Sequence, residues 1–285
     1  MSLALDFDRT ITMEDTIEVL AQFAISVQRK RGLDLSETWE KIKARYEEDY
    51  EKYLVSFPSP EAQRISIEAE AGFLNGMKDL ELASIRRVHS SGLFEGIQAS
   101  EYRAAGEEAA REGKVRIRSG FGDLVDLARN SGWHVFVISI NWSRPFIEGI
   151  LSTFGDGIRV ISNEIVEGHI SCSALSTSAA ARVLATSRDK LDALNSLGLH
   201  SRQPCMVYFG DSLTDLECLM LSSGVVISSA ADSSLLKALA RLSIQVQHIS
   251  NGGIGGGLAW ARNFSEVLRS DSLSPLFQKG IGGSQ

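Results

Sequence analysis

One apolar segment, LALDFD at residues 3 to 8, stands apart from every other strand-like run in the chain, separated from them by a long tract of helical texture. From Val115 onward the pattern alternates: WHVFVIS (133 to 139) and IRVIS (158 to 162) read as strands on either side of a helix, SRPFIEGILSTFG (143 to 155). A turn at EGH (167 to 169) suggests a small hairpin. SRDKLDALNSLG (187 to 198) then reads as a helix capped by Ser187 and closed by Gly198. CMVYFGD (205 to 211), a helix to about Ser222 and GVVIS (224 to 228) continue the series. Such alternation is the sign of a parallel sheet covered on both faces. A lone leading strand has no partner in its own neighbourhood, so it must join the later strands. The chain is therefore expected to be α/β, a doubly wound, Rossmann-like parallel sheet built from residues 1–12 and 119–285, with residues 13–118 inserted as a helical cap.

Within the insertion, apolar residues recur at helical spacing through Ile17, Leu20 and Phe23, and again through Trp39, Ile42 and Tyr46. The charges of SETWEKIKARYEEDYEKYL read as a solvated face, and FPSP at 57 to 60 breaks the pattern. Near the end, IQVQHI (244 to 249) reads as a strand, NGGIGGGLAW (251 to 260) as a flexible loop leading into a helix, and QKGIGGSQ as a disordered tail.

At 285 residues and 44% hydrophobic content the chain can bury a sizeable core. A net charge of −7 argues against general affinity for nucleic acid or anionic membranes, so an anionic ligand must meet local positive charge. The odd set Cys172, Cys205 and Cys218, without CxxC spacing, suits a reducing compartment. With no run near the roughly 20 apolar residues of a membrane span and no signal-peptide pattern, a cytoplasmic location is expected. The scattered histidines give no zinc-ligand spacing.

In open parallel sheets ligands bind beyond the carboxyl ends of the strands, where residues distant in sequence meet. Asp6 and Asp8 follow the first strand, Ser139 ends WHVFVIS, and Asp211 ends CMVYFGD with Asp215 one turn later. Each alone fits an ordinary helix cap. Their joint occurrence, with Lys190 opening an intervening helix, points to one shared site. Two carboxylates as close as Asp6 and Asp8 repel each other unless a cation lies between them.

DFDRT, VFVIS, the lysine of SRDKLDAL and GDSLTDLECL resemble, in order and spacing, the four motifs of the haloacid dehalogenase-like hydrolases, most of which are magnesium-dependent phosphatases. The helical insertion after the first motif is similar to that of capped members such as phosphoserine phosphatases. The resemblance implies that Asp6 attacks phosphorus, that Asp8 acts as general acid and then base with a pKa raised by neighbouring carboxylates, and that Lys190 stabilises the intermediate. It implies Mg²⁺ on Asp6, Asp211 and the backbone carbonyl of Asp8, with Asp215 orienting its waters. Ser139 and backbone amides around Thr10 and Ile140 would hold the phosphoryl oxygens.

The substrate, a small phosphorylated metabolite, is read from what departs from that pattern. Arg9 stands where the family often has glycine; it points to solvent or contacts phosphate. Asp15 either faces a cationic leaving group or serves as first-turn helix charge. Asn141 and Trp142, just after the second motif, are candidate substrate contacts; Trp142 stands where phosphoserine phosphatases have small glycines, and it either stacks on an aromatic or cationic leaving group or packs in the core. SINWSRPFIEGIL and the late LAWARNFSEVL are similar to the phosphatase domain of thiamin-salvage proteins, which implies thiamin monophosphate. DFDRTITMEDT is similar to diketo-methylthiopentane phosphate phosphatases, which keeps a sugar-like phosphate open. A phosphotransferase or mutase, and a non-catalytic binding module on the same fold, are the rival readings.

Overall fold

The computed structural model describes all residues except 174–181, 199–205, 222, 252–253, 255–256 and 271–285. Cys205, the QKGIGGSQ tail and four glycines of the glycine-rich stretch therefore lie outside the described residues.

The chain opens with strand β1 (Ser2–Leu5), fully buried because it carries apolar side chains on both faces. Five helices follow: α1 (Ile17–Lys30), α2 (Ser36–Ser56), α3 (Ile67–Gly76), α4 (Lys78–Ser90) and α5 (Ala99–Arg111). Then come α6 (Phe121–Asn130), β2 (His134–Ile138), α7 (Arg144–Ile150), β3 (Ile158–Ile161), β4 (Glu164–Val166) and β5 (His169–Ser171). The last part holds α8 (Ser187–Ser196), β6 (Met206–Gly210), α9 (Leu216–Leu221), β7 (Ser223–Ile227), α10 (Ser234–Arg241), β8 (Gln247–His248), β9 (Leu258–Ala261) and α11 (Phe264–Arg269).

Seven strands form one sheet in the order β3-β2-β1-β6-β7-β9-β8, every pairing parallel, while β4 and β5 form the separate hairpin. The first strand does join the later ones, inside the sheet between β2 and β6. Leu5 pairs with Val137 on one side and Phe209 on the other, so β1, β2 and β6 end almost level. Side chains alternate across the sheet: Leu3, Leu5, Val137 and Phe209 face one apolar cluster, and Ala4, Ile138 and Tyr208 face a second. Helices α5 and α7 cross very closely, because neither Gly106 nor Gly149 has a side chain; a Cβ on Gly149 would lie 2.1 Å from the Arg103 carbonyl.

Three sequence readings need correction. Thr186, not Ser187, caps α8: its hydroxyl accepts from the Asp189 amide while Asp189 reaches back, a reciprocal capping box. The strand read over 244–249 shrinks to two residues. LAW, read as the end of a flexible loop, instead begins β9, which slots between β7 and β8, and the helix after it is capped by Asn263.

The chain leaves and re-enters the sheet side by side. Thr12 bridges Ile117, the Met13 amide donates to the Arg116 carbonyl at 2.9 Å, and the Arg118 amide donates to the Ile11 carbonyl at 2.8 Å.

Candidate active site

The loop after β1 sets the first two carboxylates. The Asp6 amide still donates to the Phe209 carbonyl (2.8 Å), so Asp6 is fixed by the sheet. The chain then turns tightly, with Arg9 in the left-handed region (φ 60°). That conformation costs a non-glycine residue roughly 1 kcal/mol, which explains why glycine suits this position. Arg118 holds the turn from below. Its guanidinium donates to the carbonyls of Arg9, Thr10 and Thr12, and to that of Arg262 on the far side.

Lys190, 1% exposed, reaches from the first turn of α8 to Asp6 Oδ1 (2.6 Å) and Asp215 Oδ1 (2.8 Å). Burial would lower the lysine's pKa, but the charges of Asp215 and Asp6 overcome it and hold the pKa raised. Asp215 is completely buried. Oδ1 also accepts from the Tyr208 hydroxyl (2.7 Å), and Oδ2 accepts from the Asp211 and Ser212 amides and the Ser212 hydroxyl. A Cβ on Gly210 would collide with this carboxylate, so glycine there is a steric requirement. For Asp6, burial and then the Asp215 charge raise the pKa well above 3.8 against the pull of Lys190. Asp211 is pushed up to about 6, first by burial and then by Asp215.

Asp8 is held separately. Oδ1 accepts from the Thr16 amide (2.8 Å) and hydroxyl (2.6 Å), and Oδ2 accepts from the Asn141 side-chain amide (3.0 Å). Its pKa rises to about 6, chiefly through burial and then through the charge of Asp15. A neighbouring carboxylate, Asp15, thus contributes to the rise as expected, behind the larger effect of burial.

A cavity of 510 Å³ opens over these groups. Asp6, Asp8, Arg9, Asp15, Ser139, Ile140, Asn141, Trp142, Lys190 and Asp211 line it; Thr10 and Asp215 do not, being buried behind. The Thr10 hydroxyl donates to Asp211 (3.0 Å), and the Ser139 hydroxyl accepts from the Asn141 amide (3.1 Å). Asn141 is fully occupied inside the protein: Nδ2 meets Asp8 and Thr16, and Oδ1 accepts from Ser143. Its side chain orients Asp8 while also lining the cavity. Asp15, exposed, accepts from the Ile17 amide (2.9 Å), and so serves the start of α1 as well as the cavity rim. Trp142 likewise does both: its ring meets Trp39 edge-on at 6.2 Å and Phe94 at 6.0 Å while bordering the cavity.

Sequence reasoning passed over Thr16, Tyr208 and Arg118. Thr16 was findable as the residue before α1. Tyr208 and Arg118 carry no spacing signal, since one sits inside an apolar strand and the other in a basic stretch, KVRIR.

Asp6, Asp211 and Asp215 offer carboxylate oxygens that all lie within 4.8 Å of one another. One lysine cannot neutralise three carboxylates, and an all-oxygen donor set fits a small hard divalent cation. Because Asp215 already accepts several hydrogen bonds, Asp6 and Asp211 are the members that face the cavity. Among the described residues, no helix is long and apolar enough to cross a membrane.

The model of the haloacid dehalogenase-like hydrolase family matches residues 3–220. The bifunctional TH2 protein, mitochondrial, of Arabidopsis thaliana is 26% identical over 245 residues, 79% of this chain and 39% of the relative. The chain thus spans about two fifths of that protein's length. Cold tolerance protein 1 of Saccharomyces cerevisiae is 23% identical over 286 residues, covering 90% of this chain and 88% of the relative. Among solved structures, a substrate-bound phosphoserine phosphatase complex superposes with a TM-score of 0.51 at 16% identity, covering 94% of this chain and 96% of that one. At that identity the likeness concerns the fold.

Proposed function

Because the chain belongs to the haloacid dehalogenase-like hydrolases, we propose that it hydrolyses phosphate monoesters of small metabolites through an aspartyl-phosphate on Asp6. The observation that carries this reading is the pairing of two unlike carboxylates over one cavity. Asp6 is locked against Lys190, whereas Asp8 has no cation within 4.0 Å among the described residues and a pKa pushed up to about 6. That separation of environments is how one site runs nucleophilic and acid-base chemistry together.

In the first step an Asp6 oxygen attacks phosphorus, the bond from phosphorus to the leaving oxygen breaks, and the proton on Asp8 passes to that oxygen. In the second, water attacks phosphorus, Asp8 takes its proton, the bond to Asp6 breaks, and phosphate leaves. Lys190 holds the Asp6 carboxyl in place and opposes the rise in its pKa. Ser139, with the backbone amides near Thr10 and Ile140, would cradle the phosphoryl oxygens. Asp6, Asp211 and the Asp8 carbonyl would hold Mg²⁺, with Asp215 fixing their surroundings; when bound, that ion supplies charge compensation for phosphate among the carboxylates. Residues 13–118 are read as a cap over the core of residues 1–12 and 119–285.

Trp142 and Trp39 together at the cavity favour an aromatic leaving group, so thiamin monophosphate is the first substrate to try and sugar phosphates the contrast. The test is phosphate release from p-nitrophenyl phosphate. It should stop on chelation and in Asp6→Asn. Release that survives both treatments overturns the mechanism.

A further inference from the structure

The cavity is much larger than a phosphate group needs. Its 510 Å³ falls within the range of pockets that enclose a whole small molecule, so the wall beyond the catalytic carboxylates must meet the leaving group. Helices α2 and α4 supply that wall, and its apolar part is Trp39, Ile42 and Ile85.

Most polar groups on this wall are already partnered. Glu18 accepts from the Gln22 amide (2.8 Å), the Trp39 indole (2.9 Å) and Lys43 (3.4 Å). Lys43 also pairs with Glu40 at 2.8 Å. Trp39 is thereby fixed in orientation and has no free donor. Glu81 is different. Oε1 accepts from the Tyr46 hydroxyl at 2.8 Å, while Oε2 has no hydrogen-bond partner among the described residues. No cation lies within 4.0 Å of either oxygen among those residues. Lys78, one turn earlier on α4, is turned away onto Asp189 (2.5 Å) and the Val183 carbonyl (2.7 Å). Burial raises the Glu81 pKa, and the Tyr46 hydrogen bond and the more distant charge of Lys78 oppose that rise. A half-buried carboxylate with one free oxygen in an aromatic cavity is costly unless something else answers it.

We infer that Glu81, oriented by Tyr46, is a specificity-determining residue that receives a cationic or N–H-bearing nitrogen of the leaving group, selecting phosphate monoesters of positively charged aromatic alcohols. This rests on the phosphatase reading above. The aromatic body would lie against Trp39 and Trp142, where a delocalised cation gains from the ring faces, and its nitrogen would reach Glu81 Oε2. Tyr46 is a positioning residue: it removes one carboxylate rotamer choice and leaves the second oxygen toward the cavity.

The experiment compares kcat/KM for thiamin monophosphate, p-nitrophenyl phosphate and glucose 6-phosphate in the wild-type chain, Glu81→Gln and Tyr46→Phe. Binding of free thiamin is followed in parallel by tryptophan fluorescence. A hydrogen bond to a charged group predicts that the ratio of kcat/KM for the cationic ester to that for p-nitrophenyl phosphate falls about 10- to 100-fold in Glu81→Gln. The loss should lie mainly in KM, with a smaller fall in Tyr46→Phe, and the Kd for thiamin should weaken by a similar factor. Wild-type protein that binds thiamin but releases phosphate from no ester would refute the phosphatase reading and leave Glu81 in its recognition role. Wild-type protein that hydrolyses p-nitrophenyl phosphate, with a substrate ratio and thiamin Kd unchanged within twofold in Glu81→Gln, would overturn the assignment of Glu81.

Discussion

Lys190→Met replaces the buried ammonium between Asp6 and Asp215 with an apolar chain of similar length, and its cost can be worked from the contacts. At an effective dielectric of about 20, charges 2.6 and 2.8 Å apart attract by about 6 kcal/mol each before desolvation is subtracted. Removing one partner of a buried pair costs about 3–5 kcal/mol net, since the orphaned charges remain inside. Three carboxylates within 4.8 Å would then repel each other with no ammonium between them. A chain of this size loses about 2–4 °C of Tm per kcal/mol, so the metal-free variant should melt about 6–20 °C below wild type. The assay is thermal unfolding at pH 7.5 with and without Mg²⁺. An ion present at a hundred times its Kd adds about 2.7 kcal/mol. The more negative site of the variant should gain more from Mg²⁺ than wild type does. A variant that melts within 2 °C of wild type in chelator, or that gains nothing extra from Mg²⁺, would refute the claim that Lys190 holds a repelling carboxylate cluster together.

Asp8→Asn should lower turnover of alkyl phosphates about 10²- to 10⁴-fold and that of p-nitrophenyl phosphate less, because nitrophenolate leaves without a proton; steady-state kinetics on both esters checks this. The same change sets an amide against the Asn141 Nδ2 donor and should cost roughly 1–3 kcal/mol in urea unfolding. Glu81→Gln should melt higher than wild type at pH 7.5. Folding raises the Glu81 pKa through burial, opposed by Tyr46 and Lys78, so the ionised carboxyl opposes folding above that pKa, and the difference should vanish below the ordinary value of 4.5. Gly149→Ala should destabilise by about 1–3 kcal/mol or more, since its Cβ meets the Arg103 carbonyl. Gly72→Ala, in α3 with nothing within 4 Å of the new Cβ, should stabilise by roughly 0.5–1 kcal/mol in the same denaturation series.

The gathering of Asp6, Ser139 and Asp211 at one end of the cavity was legible because strand ends are a linear signal. Asp6, Ser139 and Asp211 each stop an apolar run, and a parallel sheet brings such stops to one level whatever their separation along the chain. Tyr208 was hidden for the opposite reason: within a buried strand a tyrosine looks like another apolar residue, and only the sheet's alternation reveals which face its hydroxyl reaches. Arg118 donates only to backbone carbonyls, which leave no trace in side-chain patterning. The misread at LAW has a local origin too. The glycines before it made it read as the end of a loop, while the pairing of Leu258 to Ala261 with β7 depends on contacts across the sheet.

Glu81 belongs to a third category, because it looks like any charge on a charged helix until two helices are brought together. The α2 run carries many ionic side chains, and most pair on the surface at helical spacing, as Lys41 does with Glu37 and Arg45 with Glu48. What sets Glu81 apart from those pairs is that it is part-buried at the cavity with no cation within 4.0 Å among the described residues, a property of space and not of sequence. The wall that carries it is tied to the sheet from both sides. Arg118 fastens the return of the chain beside the Asp6 loop, while Lys78 to Asp189, Asn75 to Glu217 and Arg241 to Glu70 fasten α3 and α4 to α8, α9 and α10. On the proposed reading, reaction chemistry would be set by strand ends and leaving-group choice by helix faces. A change at Glu81 or Tyr46 should consequently alter which ester reacts while leaving Asp6, Asp8 and Lys190 with the same mutual geometry, a separation that crystallographic superposition of Glu81→Gln on wild type would test directly.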